Sequence, residues 1–134
     1  MNMLTRTSEQ YAAFAGDRND CVVRAMSLVA NVPYAEVAAL ALKHGRKPGK
    51  GTSHATQAAM ARDLGMAQVL DCYWGRFRSL RPTLASFMRS NPFGHFYVVR
   101  RGHAFVVIDG VVHDWSASDT GARSRVILAY EVKA

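Results

Sequence analysis

The hydrophobic period of this chain changes once, and that change constrains the fold more than any other feature. Between Asn19 and Gly45 the apolar residues Val22, Val23, Met26, Val29 and Ala30, then Val37, Leu40 and Ala41, recur at steps of three and four. That spacing lines one face of a helix, and Pro33 and Gly45 punctuate it as a helix start and a helix stop. Residues 45–52, reading GRKPGKGT, hold too much Gly, Pro and cation for either period and predict an exposed loop. A third helix is expected over 53–64, with Gly65 closing it. From there the pattern turns to strands: a short one over 66–72, one or two helical turns over 83–89, then runs rich in Val, Ile, Phe and Tyr at 95–100, 103–108, 111–115 and 126–132. Asp109-Gly110 is a hairpin signal between the middle two. Helices first and strands second predict an α+β domain in which N-terminal helices pack on a C-terminal antiparallel sheet.

At 134 residues, with 49% hydrophobic and 20% charged residues, the chain reads as one domain over 1–134. It divides into an N-terminal segment (1–18), a helical half (19–65) and a mainly β half (66–134). No apolar stretch approaches the roughly 20 residues of a membrane span, so no membrane partner is expected. Met1 to Gln10 lacks the basic, apolar and small-residue succession of a secretory signal, and a cytoplasmic, reducing compartment follows as the expectation, with Cys21 and Cys72 as thiols. The net charge of +7 permits attraction to nucleic acid or to an acidic partner through a basic surface without choosing between them. Its cations are scattered along the chain, which favours a solvated face over a binding arm.

Cys21 carries the first chemical signal. It follows Asn19 and Asp20, both favoured helix caps, and precedes the first apolar helical run, so its thiol is expected at a helix N-terminus. Aligned peptide dipoles there favour a thiolate, and unpaired N–H groups can hold an oxyanion. His103 opens one predicted strand and Asp114 lies near the end of the next, with the Asp109-Gly110 turn between. A two-residue turn pairing Ile108 with Val111 makes the two diagonal or neighbouring partners across adjacent strands. A carboxylate there could orient the imidazole and stabilise its cation while the imidazole activates the thiol.

The segments NDCVVRAMSLVANVPYAEVAALA, GRKPGKGT and GHFYVVRRGHAFVVIDGVVHDW together resemble small papain-like cysteine peptidase domains of phage and plasmid genomes. These are similar to the bacteriocin-processing double-glycine peptidases. The resemblance spans roughly Asn19 to Val132 and implies a papain-like fold and a cysteine peptidase acting through a thioester, with host cytoplasm as its place if phage-encoded. Cys21 would be the nucleophile, His103 the base and acid, and Asp114 the residue that orients His103. Such peptidases commonly place a Gln upstream of the nucleophile to complete the oxyanion hole, where this chain has Ala15 or Gly16. Asn19 is the nearest amide: either its side chain or only the backbone N–H of Cys21 is read as stabilising the oxyanion, against a reading of Asn19 as a helix cap alone. A protein or peptide substrate is implied, and water or an amine as acceptor stays open. The alternative is a catalytically inactive papain-like protein that binds nucleic acid or a host protein through its basic surface.

Other features read as structural. His95 and His113 flank the sheet, and His44 and His54 lie at helix ends. Tyr73, Trp74 and Phe77 interleave with Arg76 and Arg78, a mixture able to stack on bases, though Trp74 and Phe77 are expected to be partly core. Trp115 is expected to cover the histidine–aspartate pair, and Cys72 to be a buried strand thiol. Without CxxC or HExxH spacing no metal site is expected. GRKPGKGT misses the phosphate-loop spacing by one residue and follows a helix, so no cofactor is expected either.

Overall fold

The computed structural model describes residues 20–47, 49–114 and 121–132, leaving aside the side chain of Phe77. Within them, helices α1 (Cys21–Ala30), α2 (Tyr34–Lys43) and α3 (His54–Asp63) come first. Strand β1 (Met66–Asp71), a 3-10 turn (Gly75–Leu80) and helix α4 (Leu84–Ser90) follow, and then β2 (His95–Arg100), β3 (His103–Ile108), β4 (Val111–His113) and β5 (Leu128–Val132). The strands form one antiparallel sheet in the order β1-β5-β2-β3-β4. The protein is thus a mixed α+β fold. Among the described residues no helix is long and apolar enough to cross a membrane.

Local chemistry explains the breaks. Asn31 ends α1 in the left-handed conformation (φ 56°), where its backbone N–H closes on Leu28 and Ser27; Asn tolerates that region better than most residues. Ser53 caps α3 by accepting from the Thr56 N–H, and Thr83 caps α4 by accepting from Ser86. Asp109 (φ 47°) and Gly110 (φ 78°) make the β3–β4 turn and pair Ile108 with Val111, the primed geometry that matches strand twist.

Both faces of the central strands are covered. Tyr97, Val99, Ala104, Val106, Leu128 and Tyr130 pack under α1 to α3, while Phe96, Val98, Phe105, Val107 and Ala129 meet Leu84 and Phe87 of α4 on the other face. Alternation along each strand divides the residues between two cores, so every central position is apolar.

Three expectations need correction. Strand β5 begins at Leu128 rather than at 126, because Val126 N–H bonds Pro82 and Ile127 N–H bonds Val99 in the run-in. The 45–52 loop is not exposed throughout: Arg46 is only 6% exposed, its N–H bonded to Ala41 and its Nε to the Lys50 carbonyl. Trp74, expected to be partly core, is 66% exposed, because the chain leaves the sheet at Asp71 and turns outward before the 3-10 segment.

Candidate active site

Cys21 is the first residue of α1, and Asp20 stands at its N-cap. The Asp20 side chain does not cap the helix. It is buried, and its Oδ2 accepts from Tyr34 Oη at 2.7 Å and from Arg24 Nε at 3.0 Å. Those bonds tie the start of α1 to the start of α2, which fixes where the thiol emerges. The backbone N–H groups of Ala104 on β3 and Val22 on α1 lie near enough to Cys21 Sγ to favour its thiolate. Ala104 directly follows His103 on β3.

The helix terminus was expected to lower the pKa of this thiol. Burial raises it instead: desolvation outweighs the two nearby N–H groups, which lower it, and the charges of Asp20 and Asp114 push it further up. A thiolate at Cys21 therefore needs a cation beside it as well as the helix field.

His103 and Asp114 come together as a direct pair, Nε2 to Oδ1 at 2.7 Å, with both side chains about 11% exposed. Register explains the meeting. Val106 pairs with His113, which sets Asp114 opposite Phe105, and His103 lies two residues before Phe105 on the same face. The pair is a cross-strand diagonal, and the His103 ring lies nearly parallel to that of Phe105 at 6.2 Å between centroids. With the carboxylate ionised, Nε2 carries the proton and donates, leaving the lone pair of the neutral ring on Nδ1. Cys21 reaches the start of β3 from the helical face and His103 from the other.

The rival groups sit elsewhere. His44 Nε2 pairs with Asp63 Oδ2 at 2.7 Å, joining the C-terminal ends of α2 and α3. His54 packs its ring on Tyr73, 3.8 Å between centroids, and partial burial lowers its pKa. Burial likewise lowers the pKa of His113, which pairs with Val106 on the face opposite Asp114. His95 is exposed at the far end of β2. Cys72 is buried, and both cysteines are free thiols. Among the described residues no group of three His, Cys, Asp or Glu could hold a metal ion. Asn19 and Trp115 lie outside the described residues. An apolar groove of about 470 Å³ between α4 and β4, lined by Leu84, Met88, Pro92 and Val112 among others, opens on the face away from Cys21.

Sequence reasoning missed one buried polar link. Tyr97 Oη donates to Gln57 Oε1 at 2.7 Å, and Gln57 Nε2 donates to the Thr52 carbonyl at 2.8 Å. Burial pushes the pKa of Tyr97 well up, and a charge on the nearby Cys21 sulfur adds to the rise. A Gln on the apolar side of a helix was the available signal, since such a group must find partners when buried. Comparison with profiles of known protein families, with curated proteins and with solved structures found no match to this chain.

Proposed function

We propose that the chain is a papain-like cysteine peptidase domain, of the small phage- and plasmid-encoded kind and working in the cytoplasm, in which Cys21, His103 and Asp114 hydrolyse a peptide bond. The observation that carries this reading is the 2.7 Å His103–Asp114 pair on a strand whose next residue, Ala104, has its backbone N–H near the Cys21 sulfur at the start of α1. His103 takes the Cys21 proton around the end of β3, and the imidazolium so formed is stabilised by Asp114. The thiolate adds to the peptide carbonyl. The N–H groups of the first turn of α1, outside the helix's own ladder, including that of Cys21, face the developing oxyanion. His103 returns its proton to the leaving amine as the C–N bond breaks, leaving a thioester on Cys21. Water then attacks the thioester, passing a proton to His103 and releasing the acid and the thiol.

The test needs no substrate. Iodoacetamide modification of Cys21 and Cys72, followed by peptide mass spectrometry between pH 5 and 10, is compared between the native chain and His103→Ala. Cys21 is expected to react well below pH 8 in the native chain. In the variant, burial without a cation should move its reactivity above that of an ordinary thiol. Equal profiles for the two proteins would rule the reading out.

A further inference from the structure

The sheet brings a second set of residues to the same end as Cys21 and His103. Asp71, the last residue of β1, pairs with Leu128; Leu128 pairs with Val99, and Val99 with Ala104. The row continues past the strands, because Cys72 N–H bonds Ile127 and Ile127 N–H bonds Val99. Tyr73 and Trp74 thus leave β1 at the end where β3 begins. Tyr73 also packs against the helical-face core, as Cys21 does, so it shares a face with the thiol as well. Three strand spacings separate β1 from β3, about 14 Å.

This corner is braced. Asp71 Oδ1 accepts from the Tyr73 N–H at 3.2 Å, and Arg81 Nε donates to the Cys72 carbonyl at 3.0 Å. The His54 ring backs Tyr73, and Trp74 meets Tyr73 edge to face at 4.8 Å between centroids. On that base Trp74 stands 66% exposed. The exposed Arg76 and Arg78 follow it. A large aromatic held from below and left open above presents contact area at little entropic cost.

Resting on the reading above, we propose that Tyr73 and Trp74 form a substrate shelf for the acyl half of an extended peptide, taking a large apolar or aromatic side chain four or five residues before the cleaved bond. Direction follows from the acid role of His103. The leaving amine must sit at the imidazole, which lies with Asp114 toward β4, so the acyl half runs the other way, across β2 and β5 to β1. Extended chain rises about 3.3 Å per residue, and four residues cover the distance. Arg76 and Arg78 complement an acidic residue next to the apolar one. The shelf thereby selects an extended, partly acidic segment with one bulky side chain.

Alanine-based peptide chloromethyl ketones test this, each carrying a single Phe at position two, three, four or five before the reactive carbon. Inactivation rates are read on the native chain, on Trp74→Ala and on Trp74→Phe, with iodoacetamide labelling of Cys21 measured on all three. The expected result is a rate maximum with Phe at position four or five, about tenfold above the all-alanine probe. Trp74→Ala should abolish it and Trp74→Phe should keep it, with iodoacetamide labelling unchanged. Fast, His103-dependent iodoacetamide labelling combined with no positional maximum, or with one indifferent to Trp74→Ala, overturns the shelf and leaves the peptidase reading intact. Slow labelling of Cys21 with no dependence on His103 overturns both. Tryptophan quenching by single-stranded oligothymidylate that is lost in Trp74→Ala, with no positional maximum, would assign the surface to nucleic acid and overturn the peptide shelf.

Discussion

At Cys21 two effects on one thiol oppose each other, and the stronger comes from packing. Helix position and two nearby backbone N–H groups favour the thiolate, yet burial and the carboxylates of Asp20 and Asp114 hold the proton on. On the peptidase reading proposed above, His103 is the group that reverses this, which makes His103→Ala the most informative single change: peptide turnover should fall by about 100- to 10,000-fold. Asp20 is a positioning residue in this arrangement. Tyr34→Phe removes the 2.7 Å hydrogen bond to its carboxylate and should cost about 1.5–3 kcal/mol in urea unfolding, the range for bonds to charged groups. Unchanged stability would show that Arg24 alone satisfies the charge. Cys21 at a helix start and the His103–Asp114 diagonal were legible in the sequence, because the apolar period that begins at Val22 and a two-residue turn fix them locally. The partners of Asp20 were not, since a carboxylate after Asn19 looks like a cap until Tyr34, fourteen residues on, claims it.

Elements join through their ends here. The His44–Asp63 pair fastens the end of α2 to the end of α3, and His44, through its hydrogen bond first and its charge second, lowers the pKa of Asp63. A carboxyl group with a depressed folded pKa stabilises the fold above its unfolded pKa, and the contribution is lost as pH falls through the folded value. Asp63→Asn should therefore lower the urea midpoint at pH 7 and leave it unchanged at pH 2; a deficit at both would point to packing. The β3–β4 turn holds Gly110 at φ 78°, where an L side chain is strained, so Gly110→Val should cost about 1–2 kcal/mol. It should also weaken the His103–Asp114 diagonal, seen as slower alkylation of Cys21. Most helix and strand limits followed from capping residues, Gly and alternation. The exit of β1 did not: residues 72–77 carry enough aromatic character to suggest burial, and only the outward turn after Asp71 exposes Trp74.

For the whole molecule, two cores on opposite faces of one sheet separate stability from chemistry. Phe96 is buried on the α4 face, edge to face with Phe87 at 5.4 Å, and Phe96→Ala should cost about 3–5 kcal/mol in urea unfolding. The pH profile of Cys21 alkylation should stay as it is wherever the variant remains folded. A changed profile would mean that the sheet transmits the loss to the helical face. By itself the sequence determined the helical and strand halves, the hairpin, and the residue types at the helix start and on neighbouring strands, because each depends on interactions within a few residues. Only the tertiary structure decided that burial raises the Cys21 pKa, that Arg46 lies inside, that Tyr97 and Gln57 join beneath the thiol, and that Trp74 stands at the same sheet end as His103. These depend on strand order and on which surfaces lose water. The order β1-β5-β2-β3-β4 brings together residues more than thirty positions apart, and no local period encodes that.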